Sequence, residues 1–178
     1  MKPIALIGLR GTGKTTVGRR LAELLGGGFV DTDELLTTLA GRSIATIFAT
    51  EGEAAFRRLE SHAIGEALAH SPSVLSLGGG SLVRDENVAL LADRVVFVWL
   101  TAPPATLAAR VLADPSSALT RPALTGATLL EELLDLQTTR TGRFAALASL
   151  VVDTTSISPG DVADFIRREL QAKGPAFR

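Results

Sequence analysis

Cysteine is absent from the chain. That excludes disulfides, thiolate zinc sites and cysteine nucleophiles together, and it is compatible with a reducing, cytoplasmic setting, which is the expected location. Histidine is scarce: His62 and His70 both fall on a helix pattern and read as surface residues, so histidine catalysis is not expected. Neither sign of charge is in excess. A net charge of −1 provides no field to recruit nucleic acid or an anionic membrane, so neither is expected as a partner. An anionic substrate would have to be held by a few placed basic groups. No apolar run reaches membrane-spanning length, and there are no repeats or low-complexity linkers. The opening Met1-Lys-Pro-Ile-Ala-Leu-Ile-Gly8, soon interrupted by Arg10 and Lys14, reads as a first strand and not as a signal peptide. With 46% hydrophobic and 21% charged residues over 178 positions, the expectation is one soluble domain, 1–178, acting as a monomer.

What is present is concentrated first in Ile4-Ala-Leu-Ile-Gly8-Leu-Arg-Gly11-Thr12-Gly13-Lys14-Thr15-Thr16. An apolar strand, G-x-x-x-x-G-K-T and a helix start follow one another, as the phosphate-binding loop requires. The glycines allow successive N–H groups to converge on one oxyanion, and the helix adds its unpaired N–H groups and positive dipole end. Residues 11–16 are therefore the expected nucleotide contacts, with Lys14 on the β- and γ-phosphates and the Thr15 hydroxyl on Mg²⁺.

Short apolar runs at 4–8, 28–31, 74–77, 95–100 and 150–152 alternate with helical patterns, which predicts βαβ units and a parallel sheet covered on both faces. Val17, Leu21, Leu24 and Leu25 form one helical stripe that Gly26-Gly27-Gly28 ends. A second helix is expected over about 53–69. A third follows a capping box, Thr128-Leu-Leu-Glu131, and a last one opens at Ser158-Pro159. Residues 113–126 lack periodicity, carry two prolines and join two helices. A segment of this kind reads as a lid over the phosphates with Arg121 at its centre, or else as a solvated loop.

Further stations bear on what receives the phosphate. Asp31 and Asp33 follow the second strand, where extended backbone would turn both side chains to one side, into the crevice beyond the strand ends. One could orient Mg²⁺ through water and the other accept a hydrogen bond from a substrate hydroxyl. Asp33 could also cap a helix over 34–39. In Gly52-Glu53-Ala-Ala-Phe56-Arg57-Arg-Leu59-Glu60, Arg57 stands beside the apolar stripe between Glu53 and Glu60. Braced, its fork suits a carboxylate; unbraced, it is a surface ion pair. Gly78-Gly79-Gly80-Ser81 offers bare backbone N–H groups, and Arg140 lies on the polar side of the helix after Thr128. Together they suit a small acceptor with one carboxylate and several hydroxyls.

These motifs, in this order and spacing, resemble the shikimate kinase family over nearly the whole chain, including Arg121-Pro122-Ala-Leu124. The resemblance implies an α/β, three-layer P-loop NTPase fold with a five-stranded parallel sheet ordered 2-3-1-4-5, helices on both faces and a mobile lid. It implies transfer of the ATP γ-phosphoryl to the 3-hydroxyl of shikimate. By position, a substrate-binding region at about 32–61 contributes Asp33, as hydroxyl ligand and base, and Arg57. Gly79, Gly80 and Arg140 would hold the carboxylate and ring. Thr15 and Asp31 would serve Mg²⁺, Lys14 and Arg121 the migrating phosphoryl, and Arg110 would lie against adenine. The family often continues R-x-P-L-Y-x-E where this chain has Arg140-Thr-Gly142-Arg143-Phe144-Ala-Ala146, which leaves Arg143 without an assigned role. Some relatives also have a basic residue near Thr155–Ser158, by the adenine, and this chain has none there. A gluconate-kinase-like enzyme and a non-catalytic nucleotide-binding module are the alternative readings, and the retention of Lys14, Asp33 and Arg121 counts against the second.

Overall fold

The computed structural model describes residues 2–114 and 128–173. Five strands, β1 (Ile4–Ile7), β2 (Phe29–Asp31), β3 (Val74–Ser76), β4 (Val96–Thr101) and β5 (Leu150–Asp153), form one parallel sheet in the order β2-β3-β1-β4-β5. The helices are α1 (Lys14–Leu24), α2 (Thr32–Ala40), α3 (Ile44–Ala69), α4 (Asp85–Leu91), α5 (Pro104–Ala113), α6 (Leu129–Leu147) and α7 (Pro159–Ala172). A short 3₁₀ turn, Ser81–Val83, follows β3.

The two-residue period of β1 divides the core. Ile4 and Leu6 pack with Val17 and Leu21 of α1 and Val162 and Ile166 of α7 on one face. Ala5 and Ile7 pack with Ile64 of α3, Leu91 of α4, Leu107 of α5 and Leu133 of α6 on the other. Each large apolar side chain so enclosed contributes about 1.5–3 kcal/mol, and three layers result. A smaller apolar group, Leu36, Ile44, Ile47, Phe56 and Ala63, joins α2 to α3.

Two expectations need correcting here. The helix expected over 53–69 begins at Ile44, capped by Ser43, and bends at Gly52 (φ 77°), so 44–51 is helical as well. The backbone after β2 is not extended through Asp33. The α2 helix starts at Thr32, and its cap is Asp31, whose side chain accepts from the Asp33 and Glu34 N–H groups, not Asp33. The caps expected at Thr128 and Ser158 are both present. Of the 113–126 segment, only Ala113 and Asp114 fall within the described residues, and Arg121 lies outside them.

Candidate active site

Side chains cap α2, α3, α6 and α7, but none caps α1. Its N-terminal position is Gly13, at φ 88°, so the first-turn N–H groups open toward the strand ends. Gly8, at φ 142°, brings the loop so near β4 that a Cβ there would lie 2.3 Å from the Leu100 carbonyl oxygen. Lys14 Nζ folds back along the loop, donating to Gly8 O at 2.9 Å and Leu9 O at 3.0 Å. Thr12, buried, closes the loop by donating to Leu9 O at 2.8 Å.

A cavity of about 740 Å³ opens over this loop. Residues 10–16 line it with Asp31, Asp33, Gly79 and Arg110, so carboxylates and phosphate loop share one space. Thr15 Oγ1 donates to Asp31 Oδ2 at 2.8 Å. Arg110 is locked by donating to Thr154 Oγ1 (3.1 Å), Thr154 O (2.6 Å), Thr155 O (3.2 Å) and Gly11 O (3.4 Å). Thr154 in turn donates toward Thr12 O and Thr101 O, which ties the loop after β5 to the phosphate loop. Near the expected adenine position the cavity wall carries Ile157 and Pro159.

Arg57, Gly80 and Arg140 do not line that cavity; Arg140 reaches its wall at Gly79, and Arg57 bonds the next residue, Gly80. Arg57 is braced as its spacing predicts: Nη1 donates to Glu60 Oε2 at 2.9 Å and Nη2 to Glu53 Oε1 at 3.1 Å. Burial of the guanidinium works against its charge, yet the bonds and charges of Glu60 and Glu53 outweigh this and leave its pKa raised. Arg57 Nη1 also reaches Gly80 O at 3.4 Å, and Arg140 Nη1 donates to Gly79 O at 2.5 Å. The two arginines thus flank the glycine turn.

Sequence reasoning finds the Glu53 and Glu60 brace but misses what stands behind Glu60. Glu60, 1% exposed, also accepts from Ser81 Oγ at 3.0 Å, and buried Asn87 donates to Ser81 O at 2.8 Å. It misses the pair between Arg10 of the phosphate loop and Glu132 of α6, at 2.8 Å, across 122 positions. The only sequence hint for Glu60 was its i+3 spacing from Arg57.

The family model for shikimate kinase matches residues 10–171. Curated shikimate kinases are similar over almost their whole lengths. That of Symbiobacterium thermophilum is 42% identical over 96% of this chain and 97% of its own. That of Thermobifida fusca is 41% identical over 97% and 98%. The solved shikimate kinase of Acinetobacter baumannii, in complex with shikimate, superposes with a TM-score of 0.90 at 32% identity, covering 98% of this chain and 95% of that one. A gluconokinase of Sinorhizobium meliloti (TM-score 0.57, 20% identity, 98% of each chain covered) shares the fold alone. On the phosphate loop, the glycine turn and a match running through nearly its whole length, this chain belongs to the shikimate kinase family and is an ATP-dependent small-molecule kinase.

Proposed function

We propose that the cavity and the glycine turn form one two-substrate site, in which the γ-phosphoryl of ATP passes to the 3-hydroxyl of shikimate to give shikimate 3-phosphate and ADP. The observation that carries this reading is the glycine turn: Gly79 lines the cavity that holds Lys14 and Asp33 and accepts from Arg140, and the adjoining Gly80 accepts from Arg57. A nucleotide with its phosphates on the uncapped end of α1 would face an acceptor whose carboxylate lies between two guanidinium groups.

In this reading the phosphates rest on the N–H groups of 11–16, with Lys14 leaving its carbonyl partners to reach the transferred phosphoryl. Asp33 binds the acceptor hydroxyl and takes its proton. Arg57, Arg140 and the Gly79 and Gly80 N–H groups orient the carboxylate and ring. Arg110, held in place by its carbonyl partners, borders the adenine. Arg121, on a lid over about 113–126, adds charge to the migrating phosphoryl and excludes water. The chain works as one domain, with the region 32–61 serving the acceptor.

The donor set fits Mg²⁺. Thr15 and Asp31 supply hard oxygens, and among the described residues no cluster of three or more His, Cys, Asp or Glu could cage an ion alone. The remaining ligands would be water and phosphate oxygens, the usual arrangement for this cation. When bound it neutralises charge on the β- and γ-phosphates. No described helix is long and apolar enough to cross a membrane.

Coupled ADP release with shikimate against gluconate tests the reading. Turnover with shikimate at least tenfold above gluconate is expected, and a reversed preference overturns it.

A further inference from the structure

Four consecutive carbonyl oxygens, Gly79 to Leu82, each accept from a different side chain. Arg140 Nη1 reaches Gly79 O (2.5 Å), Arg57 Nη1 reaches Gly80 O (3.4 Å), Asn87 Nδ2 reaches Ser81 O (2.8 Å) and Arg143 Nε reaches Leu82 O (2.9 Å). A planar trans peptide points the N–H of one residue opposite the C=O of the residue before it, so the hold on Gly79 O sets where the Gly80 N–H faces. Gly78 O, which accepts from the Ser81 N–H, does the same for Gly79, while the other three bonds anchor the turn that follows. Among the described residues, neither the Gly79 nor the Gly80 N–H has an acceptor, which leaves both for a ligand.

The four donors are not equivalent. Arg57 and Arg140 are the ones an incoming carboxylate would engage, and their hold on the turn is then shared with it. Asn87 and Arg143 hold the far half of the turn, and the proposed pocket assigns neither of them to the carboxylate. Arg143 sits three residues after Arg140 in α6, on the neighbouring position of the same helix face. Its other end pairs with Asp85 at the start of α4, so it ties α6, the 3₁₀ turn and α4 together.

We propose that Arg143 is a positioning residue for the acceptor: by holding Leu82 O it keeps the glycine turn in its ligand-facing shape while Arg57 and Arg140 are drawn to the carboxylate. Arg143 touches no reacting atom in this assignment and acts through the turn. The proposal rests on the acceptor pocket described above.

The test uses the full chain in the coupled assay, varying shikimate at saturating ATP and ATP at saturating shikimate. Arg143→Met removes the donor to Leu82 O, and the shikimate KM should rise roughly tenfold, with kcat and the ATP KM within about threefold of the parent. Arg143→Lys keeps a donor within reach and should fall between. Asp85→Asn removes only the exposed pair and should leave the shikimate KM within about twofold. An unchanged shikimate KM in Arg143→Met overturns the assignment. So does a parallel rise of both KM values with a lowered Tm, which would mark a merely structural role. A Lys variant no better than Met overturns it as well. Arg57→Lys separates a failure of the pocket from a failure of the Arg143 assignment. If it too leaves the shikimate KM unchanged, the pocket itself is wrong; if it alone weakens shikimate, only the Arg143 assignment fails.

Discussion

The Thr15 hydroxyl donates to Asp31 Oδ2 at 2.8 Å, while Asp31 Oδ1 caps α2 through the Asp33 and Glu34 N–H groups. One carboxylate therefore couples the phosphate loop to the helix that carries Asp33. Asn is as good a helix cap as Asp, so Asp31→Asn should leave the fold within about 1 kcal/mol of the parent. In the proposed site it removes the charge that would stand behind the Mg²⁺ waters. The Mg²⁺ concentration for half-maximal rate should rise roughly tenfold, in line with the cost of losing an outer-shell partner. A Mg²⁺ titration of ADP release checks this, and an unchanged midpoint would take Asp31 out of the metal site.

Arg57 divides its fork among Glu53, Glu60 and the Gly80 carbonyl. A lysine has one compact ammonium and no planar fork, so it cannot keep these bonds and meet a carboxylate bidentately. Arg57→Lys should weaken shikimate binding by about 1–3 kcal/mol, with ADP affinity unchanged. Calorimetric titration of each ligand checks it. Equal weakening of both would point to a folding role.

The chemical step is tested by two substitutions with different signatures. Arg121→Ala should lower kcat by roughly 10²-fold or more, since charge-supplying arginines in phosphoryl transfer are worth about 10³–10⁵. Asp33→Asn should cut turnover while ADP still binds. Near-normal turnover in either variant removes that residue from the mechanism.

Glu131 gives a pH dependence. The Thr128 N–H and hydroxyl both donate to its carboxylate at 2.8 Å and hold its pKa below the ordinary carboxylate value. A depressed carboxyl contributes stability above its unfolded pKa and loses it as pH falls through the folded one. The Tm gap between the parent and Glu131→Ala should be present at neutral pH and close as the solution is acidified below the ordinary glutamate value of about 4.3. A gap that persists in acid would mean that the capping box works without the charge.

What the sequence made legible was local or periodic. The five strands fall within a residue of their apolar runs, and the caps at Thr128 and Ser158 lie where their side chains predict. The segment Ile44–Glu51 offered only Ile44, Ile47 and the half-buried Phe48 before Gly52 broke the period, so its helix was hidden. Asp31 and Asp33 read as a strand-end pair because nothing in the sequence shows that α2 follows β2 without a loop. Arg57 could be placed from its i−4 and i+3 neighbours. Arg143 could not, because its partners Leu82 and Asp85 are 61 and 58 positions away. Local chemistry is written in the order of residues; the clamp on the glycine turn arises only once α3, α4 and α6 are packed.

The third glycine of that turn allows the sharpest separation of fold from function. Gly80 has φ −103° and ψ −3°, a backbone conformation open to any residue, so glycine is not needed there for its dihedrals. Its lack of a Cβ matters because one built there would lie 2.8 Å from Arg57 Nη1. Gly80→Ala must therefore push the guanidinium aside. That displacement strains the bonds to Glu60 and Glu53 but meets only the end of a flexible side chain, so stability should fall by no more than about 1 kcal/mol. Shikimate affinity should fall about tenfold, because the fork no longer faces the turn. Calorimetric titration with shikimate and with ADP, alongside Tm, reads both quantities. If Gly80→Ala binds shikimate as the parent does, the glycine has no role in making room for Arg57, and that arginine does not hold the acceptor from the position seen here.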